Sequence, residues 1–408
     1  MSYFYRQLIL LWAGVVALFL LSGCGEPSDP EPLVLKVGVI ASLRGSSGAT
    51  GQTTVNSARV VADYYNEQGG FEVEGQRYRI ELVVADDQGD PVRAVEIVDE
   101  FVRAGDIHYV IGPEGDAICE AVSPVLDSAG IFYVYYGFSH PLLAGARCGV
   151  LGRPEPMQMF SSIVDYLQVN SEDVSISVLA GSSTAAIDQK LKVERMLKNA
   201  GVEVVRFSQF DVSEEVLVLS ESPMLIRSRL ARLVSENPGV VMLCGHENGT
   251  LSLAMSYLRE SGYAGTVIGC EPQFSNDYRQ IFKMADGLLL VGNSVPITER
   301  SDYYLDLKGR YLDLFSEWDV DANTKLYALD SILRGIDQCG RDALTSSVPL
   351  LDVIDEVEFL DPFVANERLI GLSHRDSVLP HLRLSIPILI SKYNKGQIQA
   401  VYRSGLSF

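Results

Sequence analysis

Twice along this chain, short apolar runs alternate with longer segments of helical period, and that alternation leaves few folds open. In the first series the runs are residues 35–41, 78–85, 108–111 and 131–135. Between them, residues 52–68 place Val55, Ala58, Val61, Ala62 and Tyr65 on one stripe and stop at Gly69-Gly70, a left-handed terminator. Asp90-Pro91 supplies the cap and first position of the next helix, Val95, Val98 and Val102 line its buried face, and Gly105 ends it. Strands apolar on both faces, each followed by a helix, predict a parallel sheet covered on both sides. After Arg153-Pro154-Glu155-Pro156 breaks the pattern, a second series follows, with strands at 174–179, 202–207, 239–244, 266–270 and 287–291. Helices are predicted at 303–318 and 323–338, and two extended runs, 383–391 and 397–402, come late enough to return to sheets already built. The expected fold class is α/β with two sheets. No repeat at periods of 20–50 residues suggests a solenoid.

The 408 residues are 47% apolar and carry a formal charge of −20, enough to build large cores and far from what a nucleic-acid backbone attracts. At the N-terminus, Arg6 precedes an uncharged run from Leu8 to Leu21 that ends in Leu21-Ser22-Gly23-Cys24. The run falls short of the roughly 20 apolar residues of a spanning helix and fits a signal peptide over 1–23, with a signal anchor as the alternative reading. Leu-Ser-Gly-Cys resembles a bacterial lipobox, which implies a lipid on Cys24. Residues 24–33, with Pro27, Pro30 and Pro32, then form an extended tether. Removing Cys24 leaves Cys119, Cys148, Cys244, Cys270 and Cys339, an odd number, so at least one thiol stays free. Cys244 and Cys270 each end an apolar run and are the candidate bridge, with buried unpaired thiols the alternative. No C-x-x-C or H-x-x-x-H spacing supports a metal site, and no cofactor is expected.

The sequence contains no G-x-S-x-G elbow, no Walker A sequence and no G-x-G-x-x-G after a strand, so no catalytic residues are assigned and an enzyme is not expected. Gly45, Gly48 and Gly51 form a G-x-x-G-x-x-G loop after the first strand, where free N–H groups could meet an anionic or dipolar ligand; a flexible turn is the other reading. Ligands of open parallel sheets bind beyond the strand carboxyl ends. The first half offers there Arg44 to Thr50, Glu114-Gly115-Asp116 and Tyr136-Gly137-Phe138-Ser139-His140; the second offers 181–184, Gly245-His246-Glu247-Asn248 and Glu271-Pro272-Gln273-Phe274. Polar groups mixed with aromatics suit a small polar solute.

Several spaced motifs carry a resemblance: Lys36 to Ile40 (KVGVI), Asn66 to Gly70 (NEQGG), Val83 to Asp87 (VVADD) with Asp90-Pro91, Tyr109 to Pro113 (YVIGP) and Ala129-Gly130-Ile131. In this order they resemble the branched-chain amino-acid-binding (leucine/isoleucine/valine-binding) family of bacterial periplasmic solute-binding proteins, closely over 36–139 and more loosely beyond. The resemblance implies two Rossmann-like lobes joined by three crossovers, divided as 34–153 plus 294–385 and 154–293 plus 386–408. It implies a ligand between the lobes, a monomer, delivery to an ABC transporter permease, and a place on the periplasmic or cell-surface side of a bacterial membrane, held there by the lipid alone. A sensory subunit that signals to a chemoreceptor or regulatory partner is the alternative.

Carried over residue by residue, the family's carboxylate clamp falls on Asp116 and Ser139, with the backbone of Gly137 and Phe138 beside it. Its acidic ammonium partner falls on Glu271 and the aromatic partner on His246. Thr50 stands where an aromatic wall is common, near Arg44, and Ala185 replaces a frequent pocket tyrosine. Gly89 and Gly115 occupy the places of a disulfide found in some members. An ionised Asp116 about 4 Å from a ligand carboxylate costs about 4 kcal/mol at an effective dielectric of 20. Asp116 therefore points away, is protonated, caps the helix starting at Ala117, or meets a ligand that presents an amide, amine or urea donor.

Overall fold

The computed structural model describes residues 33–45, 47–137, 145–154, 156–170, 175–181, 195–201, 203–210, 223–244, 248–270, 287–293, 295–365, 368–372, 382–384, 386–394 and 397–403. The first sheet takes β1 (Leu33–Ala41), β2 (Phe71–Val73), β3 (Gln76–Asp86), β4 (Tyr109–Glu114), β5 (Phe132–Tyr136) and β6 (Gly149–Leu151), interleaved with helices α1 (Gly48–Glu67), α2 (Pro91–Ala104) and α3 (Asp116–Ala129). After α4 (Pro156–Asn170) come β7 (Ser175–Gly181), β8 (Glu203–Phe210), α5 (Pro223–Ser235), β9 (Val240–Cys244), α6 (Asn248–Glu260), β10 (Thr266–Cys270) and β11 (Leu289–Gly292). The chain continues through α7 (Asp302–Phe315) and α8 (Ala322–Cys339), a small antiparallel pair β12 (Glu358–Leu360) and β13 (Leu369–Gly371), then β14 (Leu389–Asn394) and β15 (Gln397–Arg403).

Among the described residues the two large sheets run β2-β3-β1-β4-β5-β6 and β15-β14-β11-β10-β9-β7-β8. Each has a parallel centre, with antiparallel additions at an edge: β2 on β3, and the β14–β15 hairpin on β11. Side-chain alternation decides what covers each face. Val37, Val39, Tyr109, Ile111, Phe132 and Val134 join a core with α1, α7 and α8, while Ile40, Val110, Tyr133 and Tyr135 point the other way into α2 and α3. The second sheet repeats the device. Val240, Met242, Ile268 and Val291 face α4, whereas Val241, Leu243, Val267 and Leu290 face α5 and α6. Each sheet is thus a separate α/β sandwich, the arrangement expected of strands apolar on both faces.

Local signals explain most boundaries. The Asp90 carboxylate accepts the Val92 N–H at 2.8 Å, Pro91 opens α2, and Gly105 closes it at φ 74°. Two differences from the sequence reading are instructive. The strand read as 108–111 runs on through Gly112-Pro113 to Glu114, with an irregular register against β5 at that point. Gly112 is required there: a Cβ would stand 2.0 Å from the Ile40 carbonyl oxygen. The Gly45/Gly48/Gly51 loop is also corrected. Gly48 and Gly51 belong to the first turn of α1, and their own N–H groups are spent on the Gly45 and Ser47 carbonyls. Gly51 serves close packing instead, since a Cβ would lie 1.9 Å from the Ser42 carbonyl oxygen.

Three connections lead between the sheets, after β6, after β11 and before β14. Leu151 exchanges backbone bonds with Leu382 and Leu384 at 3.1 and 3.0 Å. The Arg300 guanidinium donates to the Asn293 carbonyl at 3.1 Å, and the Asn293 amide donates to the Asn323 carbonyl at 3.0 Å. Among the described residues no helix is long and apolar enough to cross a membrane, and no group of three His, Cys, Asp or Glu side chains could hold a metal ion. Cys119, Cys148 and Cys339 are free thiols; the expected bridge between Cys244 and Cys270 concerns side chains outside the described set.

Candidate functional site

The carboxyl ends of β1, β3, β4, β5 and β6 converge on one edge of the first sheet, and polar groups collect there. Beyond β1, Ser42 is buried and its hydroxyl donates to Asp87 Oδ1 at 2.5 Å. Asp86 accepts the N–H groups of Leu43 and Gln88 at 2.9 and 3.0 Å, which holds its carboxyl below the usual aspartate range. Burial pushes the Asp87 carboxyl up, against the opposing pull of Ser42 and the Gly89 N–H.

Glu114 ends β4 and is the hub of the site. Lys325 Nζ, from the first turns of α8, donates to Glu114 Oε1 at 2.8 Å, and Arg153 Nη2, just past β6, donates to the same oxygen at 3.3 Å. Asp321, which precedes α8, places Oδ2 3.8 Å from both cations. The Tyr136 ring lies under them, its centroid 3.3 Å from Lys325 Nζ and 5.6 Å from the Arg153 guanidinium carbon. Burial, followed by the Glu114 and Asp321 charges, raises the Tyr136 phenol well above its ordinary value and keeps it protonated. Two carboxylates thus balance two cations. The Lys325 side chain is wholly buried, while Glu114 and Arg153 keep 12% and 14% of theirs open. A balanced but partly open cluster can bind a dipolar or hydrogen-bonding guest, and it offers no nucleophile beside a base.

Of the residues singled out in the sequence, Gly137 follows β5 and is buried. Thr50 sits half-buried in the first turn of α1, where its carbonyl accepts the Thr54 hydroxyl at 3.2 Å. Arg44 is exposed and pairs with Asp86 at 3.3 Å. Asp116 stands one position inside α3, with Gly115 at the cap, so the alternative that Asp116 itself caps that helix is corrected. It lies instead at the positive end of the helix dipole, two residues beyond Glu114. Ser139, Phe138, His246, Glu271 and Ala185, like Cys24, lie outside the described residues.

Comparison with known proteins decides the family. The family model described as periplasmic binding protein matches residues 34–369. The chain belongs to that family. A Leu/Ile/Val-binding protein, BraC3 of Rhizobium johnstonii, is 34% identical over 100 residues, which is 24% of this chain and 26% of that protein. A Leu/Ile/Val-binding protein homolog 3 of Brucella melitensis is 23% identical over 253 residues, 60% of this chain and 63% of that one. The chain thus matches about a quarter and under two thirds of the length of these curated relatives. Among solved structures, the branched-chain amino acid transporter substrate binding protein LivJ of Streptococcus pneumoniae, in complex with isoleucine, superposes with a TM-score of 0.68 at 15% identity, over 90% of this chain and 99% of that one. The fold of this periplasmic binding protein is accordingly the two-lobed type I architecture that the βαβ pattern and motifs implied.

Sequence reasoning passed over Arg153, Asp321 and Lys325 as site residues and read Glu114 and Tyr136 only among the residues at strand ends. A signal exists for two of them: Asp321, at the cap of α8, and Lys325 are charges at i and i+4 on a stripe that is otherwise apolar along the helix. What they face was not readable, because Glu114 is 211 positions away from Lys325.

Proposed function

We propose that this periplasmic binding protein is a non-catalytic, extracytoplasmic solute receptor. It captures a small polar, nitrogen-containing molecule, such as an amino acid, an amide or a urea-like solute, and delivers it to an ABC transporter permease. The observation that carries the reading is the gathering of hydroxyl, carboxylate and cationic groups at the carboxyl ends of five strands of the first sheet, the position at which open parallel sheets receive ligands. Family membership over 34–369 and the amino-acid-binding names of the relatives support it. In this reading Asp116, Ser139, Gly137, Phe138, Thr50 and Arg44 line one jaw, while Glu271 and His246 reach the solute from the other. Closure then follows from differential affinity, because a ligand shifts a hinge equilibrium only by touching both lobes in the closed state. Cys24 carries the lipid that holds the mature chain at the membrane.

Titration calorimetry of the mature chain against amino acids, amides and urea tests the reading. A saturable heat is expected for at least one of them, with Glu271→Ala losing at least a hundredfold in affinity at unchanged melting temperature. Undiminished affinity in that variant removes Glu271 from the site.

A further inference from the structure

We infer that Glu114, Asp321 and Tyr136 form the floor of the solute site, positioned by Lys325 and Arg153. This floor selects a guest with an N–H or O–H donor at its inner end, against the aliphatic side chains of leucine, isoleucine and valine. The inference rests on the capture reading above and names the class of guest within it.

Several hydrogen bonds in this cluster are not made. Glu114 Oε2, the Tyr136 hydroxyl and both oxygens of Asp321 are buried without a hydrogen-bond partner in the protein. The Asp321 side chain is only 5% exposed and Tyr136 only 2%, so bulk water does not satisfy them. A second buried carboxylate shows what a purely structural cluster looks like. Asp361 accepts the Tyr327 hydroxyl at 2.9 and 3.1 Å, the Phe363 N–H at 3.0 Å and the Arg368 guanidinium at 3.1 Å, leaving neither oxygen idle. At Glu114 the two cations converge on Oε1 alone, and Oε2 is left over.

Position and charge complete the case. The cluster stands where β4, β5 and β6 end, and Glu114 and Arg153 are its partly open members. Glu114 and Asp321 face Lys325 and Arg153, and the idle carboxylate oxygens are acceptors that demand donors, while the Tyr136 hydroxyl can accept as well as donate. A hydroxyl, amide or ammonium group meets that demand. An isopropyl or sec-butyl group would cover those acceptors and return no hydrogen bond, the situation in which built polar sites reject apolar analogues most strongly.

Near-isosteric pairs provide the test: asparagine against leucine, and threonine against valine, measured by calorimetry on the mature chain, with urea and acetamide in the same panel. The donor-bearing member of a pair is expected to bind at least tenfold tighter, about 1.4 kcal/mol. Glu114→Leu should narrow that ratio to under threefold. Should loss of the Lys325 partner unfold that variant, Tyr136→Phe, which removes one hydroxyl and no charge, is expected to weaken the donor-bearing member severalfold and leave leucine unchanged. Leucine or valine bound as tightly as its partner overturns the inference and leaves capture standing. A panel with no binder at all overturns capture, and the inference with it.

Discussion

Asp87 shows how the site titrates. It is wholly buried at the end of β3, held on one oxygen by Ser42 and Gly89, and its carboxyl is raised because burial outweighs those bonds. The sign follows from linkage. With the folded-state value above the unfolded one, the folded protein holds the proton longer, so the stability it contributes declines as pH rises from the ordinary aspartate value, near 3.9, through the raised one. Asp87→Asn keeps the acceptor and removes the titration. Its unfolding free energy relative to the parent is therefore expected to rise across that window and then level, as read by urea unfolding between pH 3 and pH 8. Parallel curves for the two proteins would rule the assignment out. At this scale little was legible in advance. The polar character of Glu114 and Asp116 could be read beside their strand, but not that one would be the hub of an ion network and the other the first residue of α3.

Elements were the most legible level, because their determinants are local. The Asp90-Pro91 start and Gly105 stop of α2 stand in the structure as the sequence implied. Asp90→Ala removes one capping bond from an exposed helix start and is expected to cost about 1 kcal/mol, within the 0.5–2 kcal/mol usual for such caps. Chemical denaturation measures this as a shifted midpoint at constant slope, and no shift would mean that the cap contributes nothing here. Failures at this level share one cause, contact with a distant segment. Gly112-Pro113 looks like a strand terminator, yet β4 continues because Glu114 pairs with Tyr136 of β5 beyond the irregularity. Gly48 and Gly51 look like part of an anion-receiving loop, yet they lie in the first turn of α1, where the Ser42 backbone comes so close that residue 51 must be glycine. The β2–β3 hairpin, turned by Glu74 and Gly75 at positive φ, was also passed over, its first strand having only three residues.

For the molecule as a whole, the two sheets keep separate cores, each sealed by its own helices. Calorimetric unfolding without ligand is therefore expected to be broader than one two-state transition. If the solute bridges the jaws, as proposed, saturation should raise and sharpen the transition, by about 2.7 kcal/mol at a hundred times the dissociation constant. A ligand that shifts only part of the profile would instead be held by a single lobe.

Alternating apolar runs, caps and glycine stops are short-range properties, and from them the sequence alone determined two α/β units, the helices that cover them and the strand ends where a ligand would sit. Which charges meet at those ends was decided only by the tertiary structure. Lys325 reaches Glu114 across 211 positions because α8 is laid over the first sheet by the same apolar packing that conceals its charged residues among core positions. Periodicity tells which face of a helix is buried; it carries no information about the partner waiting on the other side.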